Sequence, residues 1–346
     1  IVKELFKNIQ NDEFLIINFD AEESSFVRLN KGKIRQPGSV KQISVSLSLS
    51  NREKRNLKSY IRLNGSLKRD LATLIRTLNY LRRELPDLPK DPYLLFSTSI
   101  KSTDVSSTQE VFDDRENLDY IFGKIKSLDL VGIYSSGYIY TGLANSLGQF
   151  NWHSDYSFSF DYSIYNESNN AIKLNYSSKN WSNDDFDLIL EQGIKKLSIL
   201  SKPLQTIQKG EYTVYLEPSA LNEILDMMSW GGFSYKANKI GTSPLHLLNK
   251  GEKSLHQSVS IDENIKDGLS ANFNSDGFIK PETINMISNG KFSESLTSPR
   301  SSLEYSVDHN ASSTSEYPSS IDMSPGKIAE DEILSTINSG IYISNL

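Results

Sequence analysis

The stretch "VKQISVSLSLS", residues 40–50, alternates apolar and polar side chains with a period of two. In a β-strand this period puts the apolar residues on one face and the serines on the other. The apolar residues are Ile43, Val45, Leu47 and Leu49. One apolar and one polar face is typical of an antiparallel sheet that buries a single side. We therefore expect an antiparallel sheet in the first part of the chain.

The flanking segments extend this sheet and cover it with a helix. "EFLIINFD" at 13–20 and "SSFVRLNKGKI" at 24–34 predict two strands separated by a polar turn. "SLKRDLATLIRTLNYLRREL" at 66–85 predicts a helix that ends before Pro86. Its apolar positions at helical spacing are Leu67, Leu71, Leu74, Ile75, Leu78 and Leu81. We expect this apolar stripe to lie on the sheet.

The middle of the chain repeats the combination of strands and helices. Helices are predicted at 114–128 and at 182–200, the second with Ser182 or Asn183 as its N-cap. Strands are predicted at 129–146, 156–166 and 171–178. The strand at 156–166 carries alternating aromatic residues, which are Tyr156, Phe158, Phe160 and Tyr162. These aromatic residues should form one packed face.

The last part of the chain is richer in Ser, Gly and Asn. We expect strands at 210–218 and 253–261, a helix over "EPSALNEILDMM" at 217–228 and a long loop at 293–325. "IAEDEILSTINSGIYI" at 328–343 predicts a helix, a glycine turn and a strand. The fold class is therefore α+β. An N-terminal α/β domain with an antiparallel sheet and packed helices is expected at 1–200, and a β-rich C-terminal domain at 201–346.

Composition excludes several classes of site. The 346 residues include no cysteine, which rules out disulfides, thiolate metal ligands and cysteine nucleophiles in this sequence. Apolar runs are far shorter than the roughly 20 residues that a membrane span requires, and the first residues do not resemble a signal peptide. We expect two domains in a cytoplasmic protein.

Charge is distributed unevenly. The net charge is −6, yet residues 28–83 hold 15 Lys and Arg against two acidic residues, a local charge of +13. Such a segment either binds an acidic partner or nucleic acid, or forms a solvated face. Only Tyr60 and Tyr80 could stack on bases, so nucleic acid is the less favoured partner. The candidate basic surface consists of Arg52, Lys54 and Arg55.

The helix at 217–228 holds the one notable carboxylate pair. Its buried stripe should consist of Leu221, Ile224, Leu225 and Met228. Glu223 and Asp226 share another face, where they could act as an acid–base pair or bind Mg²⁺ or Mn²⁺ through oxygen. A solvated surface pair is the more common outcome for this spacing. The four histidines, at 153, 246, 256 and 309, include no i, i+4 pair for a helical metal site.

Three segments of the sequence carry a more specific pattern. The first is "GIYSSGYIYTGLANSLGQFNWHSDYSFSFDYSIY" at 132–165, and the second is "GGFSYKANKIGTSPLHLLNKGEKSLHQSVSI" at 231–261. The third combines "SPRSSLEYSVDHN" at 298–310 with "EYPSSIDMSPGKIAEDEILSTINSGIYISNL" at 316–346. In this order the three segments resemble the TldD/PmbA family, whose members are also called modulators of DNA gyrase. The family pattern continues past Leu346, so we expect the C-terminal domain to be truncated at its end.

This resemblance implies a metallopeptidase system. Members of the TldD type carry H-E-x-x-x-H on the helix that aligns with 217–228, where two histidines and a later cysteine bind zinc and the glutamate acts as general base. The present sequence reads "NEILDM" there. Asn222 replaces the first histidine and Met227 the second, while Glu223 remains. An amide oxygen and a thioether are poor zinc ligands.

The resemblance therefore favours a PmbA/TldE-like subunit that is not catalytic alone. It implies a dimer, formed with a TldD-type homologous subunit or with itself, that acts on unfolded peptides. No catalytic residue, cofactor or metal is expected on this chain, and zinc is expected on the TldD-type partner. Two alternatives stay open, namely a metal-dependent peptidase using Glu223 and Asp226, and an acidic-partner or DNA-binding module using the basic segment 28–83.

Overall fold

A seven-stranded sheet forms the centre of the computed structural model, which describes residues 1–10, 12–107, 114–329 and 332–346. Its strands are β1 (Glu13–Asn30), β2 (Lys33–Asn51), β3 (Asn56–Leu63), β4 (Thr103–Ser106), β5 (Asp129–Asn145), β6 (Phe150–Tyr165) and β7 (Ala171–Ser178). The order is β3-β2-β1-β5-β6, and all these neighbours are antiparallel. The free edge of β6 is shared, with β4 parallel to its first half and β7 antiparallel to its second. The expected antiparallel sheet and the α+β class are confirmed.

The predicted turn between residues 20 and 24 is wrong, because β1 is one continuous strand. Its polar centre is held extended on both sides, as Glu23 pairs with Lys41 of β2 and with Tyr138 of β5. The chain turns only at Lys31 and Gly32, which both have positive φ. Pairing to two neighbouring strands thus overrides the local turn composition.

Four helices cover one face of the sheet or pack beside it. They are α1 (Val2–Phe6), α2 (Leu67–Glu84), α3 (Asp114–Ile125) and α4 (Asn183–Leu200). The α2 stripe packs on β1 and β2, with Leu74, Leu78 and Leu81 fully buried as predicted. Leu67 is the exception, because it lies in the first turn and is 66% exposed. The four aromatic residues predicted to pack together on β6 are all buried. Phe158, Phe160 and Tyr162 lie in the core that α3 and α4 cover, whereas Tyr156 packs edge to face on Tyr138.

The opposite face of the sheet meets the C-terminal part of the chain. Ile16 of β1 and Leu143 of β5 pack against Phe273. The buried Gln149 side chain donates to the carbonyl oxygen of Gly277 at 2.9 Å, and the amide of Asn18 donates to the Ser275 carbonyl at 3.1 Å. These contacts join the loop around residue 275 to the sheet.

The C-terminal part contains two small sheets and short helices around a separate apolar core. Its elements are β8 (Val214–Leu216), α5 (Pro218–Ser229), α6 (Tyr235–Lys239), α7 (His246–Asn249), β9 (Ile261–Asn264), β10 (Thr283–Ser288), β11 (Lys291–Phe292), α8 (Pro299–Tyr305), β12 (Ile321–Met323), α9 (Ile333–Ile337) and β13 (Ile341–Ile343). One sheet has the order β11-β10-β9-β12, and β8 pairs with β13 in parallel. The core is built around Phe233, Met286 and Ile287, which are all fully buried.

Several local predictions for this part need correction. The strand predicted at 253–261 is irregular until Ile261, and the strand predicted at 210–218 is limited to β8. The predicted loop at 293–325 contains α8, which begins because Ser298 caps it by accepting from the Ser301 N–H at 3.1 Å. The helix predicted from residue 328 includes residues 330 and 331, which lie outside the described residues, and the described helix is α9.

Within the described ranges, no helix has both the length and the apolar character needed to cross a bilayer. The domain boundary proposed between residues 200 and 201 falls directly after the last residue of α4. The division of the chain at that position stays a prediction.

Candidate functional site

The candidate site is α5, the helix that the sequence aligned with the metal motif. β8 leads into it, and Pro218 stands in its first turn, where the fixed φ of proline favours helix initiation. Its inward face buries Leu225 against the C-terminal core, with Leu221 and Met228 packed partly beneath the surface. The apolar stripe therefore fixes which residues of α5 face outward.

The four candidate positions of the motif lie on the outward face. Asn222, Glu223, Asp226 and Met227 are all exposed, and the side chain of Met227 is 52% accessible. Across the described ranges, no group of three or more His, Asp or Glu side chains is arranged to hold a metal ion. One carboxylate, one amide and one thioether do not fit a catalytic zinc ion, which takes three strong nitrogen, oxygen or thiolate ligands.

Asp226 has a partner that the sequence did not indicate. The hydroxyl of Tyr317 donates a hydrogen bond to its carboxylate. This hydrogen bond raises the pKa of Tyr317, with a smaller contribution from burial. Asp226, one of the two carboxylates considered as ligands for a hard cation, is thus already hydrogen-bonded within the protein. Tyr317 is 91 positions away in sequence, so no local pattern could have revealed the contact.

The buried carboxylate of Glu316 sets the position of Tyr317. It accepts hydrogen bonds from the Ser234 hydroxyl at 2.6 Å and from the backbone N–H groups of Lys236 at 3.0 Å and Ser298 at 2.9 Å. These donors belong to the first turns of α6 and α8, where N–H groups lack partners within the helix. Glu316 therefore ties two helix starts to the loop that reaches α5.

The basic segment 28–83 is divided between two faces of the molecule. α2 covers one face, whereas Lys58, Tyr60 and Arg62 project from the opposite face of β3. Arg82 of α2 is also neutralised, because its Nε lies 2.5 Å from Oε1 of Glu13. The +13 charge does not form a single continuous surface.

Two of the three residues of the candidate basic surface hold backbone atoms. The Lys54 ammonium donates to the Pro92 carbonyl at 3.4 Å, and the Arg55 guanidinium donates to the Pro86 carbonyl. Arg55 also pairs with Glu53 at 3.2 Å, while Arg52 is exposed at the turn between β2 and β3. Binding of an acidic partner here stays a prediction.

Two of the four histidines, which are far apart in sequence, lie at the same cavity. His246 and His309 line one polar cavity of about 690 Å³ beside α6 and α7. Burial lowers the pKa of His309, although the negative charge of Asp308 acts to raise it. The His309 ring packs edge to face on Phe278 at 4.5 Å, and its Nδ1 accepts from the Ala311 N–H at 3.2 Å. His309 therefore has a structural role that accounts for its position.

Comparison with known proteins agrees with this architecture. Residues 209–346 match the family model described as the PmbA/TldA metallopeptidase C-terminal domain. No curated protein sequence matches the chain.

Solved structures match nearly the whole chain. TldE from Thermococcus kodakarensis is 12% identical with a TM-score of 0.73, and the match covers 100% of this chain and 81% of that one. A candidate modulator of a DNA gyrase from Thermotoga maritima is 15% identical with a TM-score of 0.73, covering 99% and 82%. A candidate gyrase modulator from Bacteroides thetaiotaomicron is 17% identical with a TM-score of 0.67, covering 98% and 79%.

These matches define the class first, since the chain has the α+β fold shared by TldE and the gyrase-modulator structures. The family model then gives a more specific match for the C-terminal part. Residues 209–346 are similar to the PmbA/TldA metallopeptidase C-terminal domain, which agrees with the resemblance to the TldD/PmbA family that the sequence indicated.

Proposed function

We propose that this chain is a PmbA/TldE-like, non-catalytic subunit of a cytoplasmic TldD-type metallopeptidase that acts on unfolded peptides. The observation that carries the proposal is the composition of α5. The helix keeps its place in the fold through Leu225, yet it offers Asn222 and Met227 where a TldD-type chain has histidines. The family match supports a peptidase system, and this donor set supports a subunit whose partner holds the zinc.

The outward face of α5 also supports a contact with a partner. Met227 of α5 and Trp230, the residue directly after the helix, stand three positions apart, and they are 52% and 67% exposed. Large apolar side chains exposed together are a common feature of protein interfaces. In the proposed complex this face of α5 lies against the TldD-type subunit or its bound peptide.

The test measures zinc and peptidase activity in the chain alone and in a mixture. Purified chain should contain no stoichiometric zinc and should not cleave a labelled unfolded peptide. Mixing with a TldD-type homologue that has an intact H-E-x-x-x-H motif should give a complex that cleaves the peptide. Stoichiometric zinc or robust activity in the isolated chain would contradict the proposal.

A pair of variants examines the role of α5 in the complex. The double variant Met227→Ala, Trp230→Ala should weaken association with the TldD-type homologue without changing the fold. Leu204→Ala is the matched control, because Leu204 is 98% exposed outside α5. Equal association of both variants, measured by analytical ultracentrifugation, would place the contact elsewhere.

A further inference from the structure

A second potential site lies between the sheet and the C-terminal part. It is a cavity of about 540 Å³ at the corner where β4 and β6 meet the segment between β9 and β10. This volume is within the range of small-molecule sites, which are common where two parts of a chain meet. Three lysines line the cavity, namely Lys179, Lys266 and Lys280. None of them belongs to α5 or to the motif discussed above.

Two of these lysines lack a counter-ion. Lys179 pairs with Asp155 at 2.7 Å. Lys266 and Lys280 have no carboxylate oxygen within 4.0 Å anywhere in the described part of the chain. Glu282 also lines the cavity, and both Glu282 and Lys266 are exposed, whereas Lys280 is only partly exposed. Lys280 therefore brings a positive charge without an ion pair to the less exposed part of the lining.

Lys280 is held in an unfavourable environment for a cation. Burial lowers its pKa, while the charge of Glu263 acts in the opposite direction. The Glu263 carboxylate is occupied by Ser319, whose hydroxyl lies 2.7 Å away and whose N–H lies 3.0 Å away. Among the described residues, the Lys280 ammonium makes one hydrogen bond, a long one of 3.4 Å to the Ser319 hydroxyl. An ammonium group with three donors thus has capacity for further acceptors.

A buried histidine atom in the same wall is also without a partner. His153 is 7% exposed and lines the cavity, and its Nε2 lies 3.1 Å from the carbonyl oxygen of Leu269. Because a carbonyl only accepts, Nε2 carries the proton. Nδ1 is buried without a hydrogen-bond partner among the described residues. Buried polar atoms normally find partners, so this atom points to a bound polar group.

We propose that this cavity binds a small molecule or peptide end through an oxyanion, a carboxylate or phosphate group, held by Lys280 and Lys266. The anion supplies further acceptors to the Lys280 ammonium and compensates for its loss of hydration. His153 accepts a hydrogen bond at Nδ1 from a hydroxyl group of the ligand. The proposal is independent of the α5 contact and of any peptidase partner.

Calorimetric titration of the full chain tests the site with four probes at constant ionic strength. The probes are inorganic phosphate, acetate, and one short peptide with either a free or an amidated C-terminus. Phosphate binding alone identifies a phosphate site. Preference for the free peptide over its amide identifies a carboxylate site. No binding by any probe overturns the proposal.

Lys280→Met is the informative variant, because it removes the charge while keeping a long apolar side chain. It should fold at least as stably as the wild type, since no buried ammonium remains to be desolvated. Binding of the active probe should weaken about 10-fold, the loss expected for one charge-assisted hydrogen bond. Lys266→Met should have an effect in the same direction.

Lys173→Met is the matched control, because Lys173 is exposed on β7 and does not line the cavity. It should bind the probe as the wild type does. If Lys280→Met folds and binds the probe with unchanged affinity, the proposed role of this cavity is wrong. An equal loss of affinity for the probe in Lys280→Met, Lys266→Met and Lys173→Met would show a general charge effect, and it would also overturn the proposal.

Discussion

At the scale of single residues, two tyrosines in one core differ in how their hydroxyls are satisfied. The hydroxyl of Tyr162 is buried without a partner among the described residues, and burial raises its pKa strongly. The hydroxyl of Tyr176 accepts from the Ser182 N–H at 2.9 Å and donates to the Ser182 carbonyl at 3.3 Å. An unpaired buried hydroxyl costs free energy, whereas a paired one contributes to stability.

Replacing each tyrosine by phenylalanine should therefore act in opposite directions. Tyr162→Phe should raise the free energy of unfolding by about 1 kcal/mol, because it removes an unsatisfied group. Tyr176→Phe should lower it by about 1–2 kcal/mol, because it leaves the Ser182 N–H without its acceptor. Urea unfolding of both variants measures the difference. Equal losses would contradict the assignment of Tyr162 as unpaired.

A substitution of Glu316 tests how much its hydrogen bonds to the starts of α6 and α8 stabilise the protein. Glu316→Ala removes the acceptor of three partly or fully buried donors and should lower the free energy of unfolding by about 3 kcal/mol. Glu304→Ala is the control, because Glu304 makes a partly exposed 3.3 Å ion pair with Lys236 and should change stability by less than about 1 kcal/mol. Thermal unfolding distinguishes the two. A small effect of Glu316→Ala would mean that the helix starts do not depend on it.

At the scale of elements, α2 and α4 begin with the same residue type but different contacts. Ser182 caps α4 by accepting from the Asp185 N–H at 3.2 Å, whereas Ser66 precedes α2 without a side-chain cap. Ser182→Ala should destabilise the protein by about 1 kcal/mol, and Ser66→Ala should have almost no effect. Chemical denaturation of both variants provides the measurement. A loss at Ser66 as large as that at Ser182 would show that the cap geometry does not govern these helix starts.

Elements with strong periodicity could be predicted from the sequence, and those set by distant contacts could not. The alternation at 40–50 identified β2, and the leucine spacing identified α2. By contrast, the polar segment of β1 is extended only because β2 and β5 hold it from both sides. The candidate site shows the same division, since α5 and its outward face follow from local spacing. Its contact with Tyr317 depends on a loop 91 positions away.

At the scale of the whole molecule, the ion pair between Arg300 and Asp91 is one of the contacts that link the two parts of the chain. Arg300 of α8 lies 2.6 Å from Asp91 and packs over the ring of Tyr93 at 5.6 Å. Burial alone would raise the pKa of Asp91, but the hydrogen bond and charge of Arg300 outweigh it, so the pKa is lowered. Asp91 also donates its N–H to the Lys54 carbonyl at 2.8 Å. The pair thus connects α8 to the turn between β2 and β3.

This pair should give the docking of the two parts a defined dependence on pH. A carboxyl with a lowered pKa stabilises the folded state above its unfolded pKa of about 3.9, and this contribution is lost as the pH falls through the folded pKa. Arg300→Gln should therefore lower the melting temperature at pH 6, and its difference from the wild type should shrink towards pH 3. Arg83→Gln, which breaks an exposed pair with neighbouring Glu84, should show little difference at either pH. The melting temperature of Arg300→Gln could instead stay below that of the wild type by the same amount from pH 6 to pH 3. Arg300 would then stabilise the protein by packing on Tyr93 rather than through the charge of Asp91.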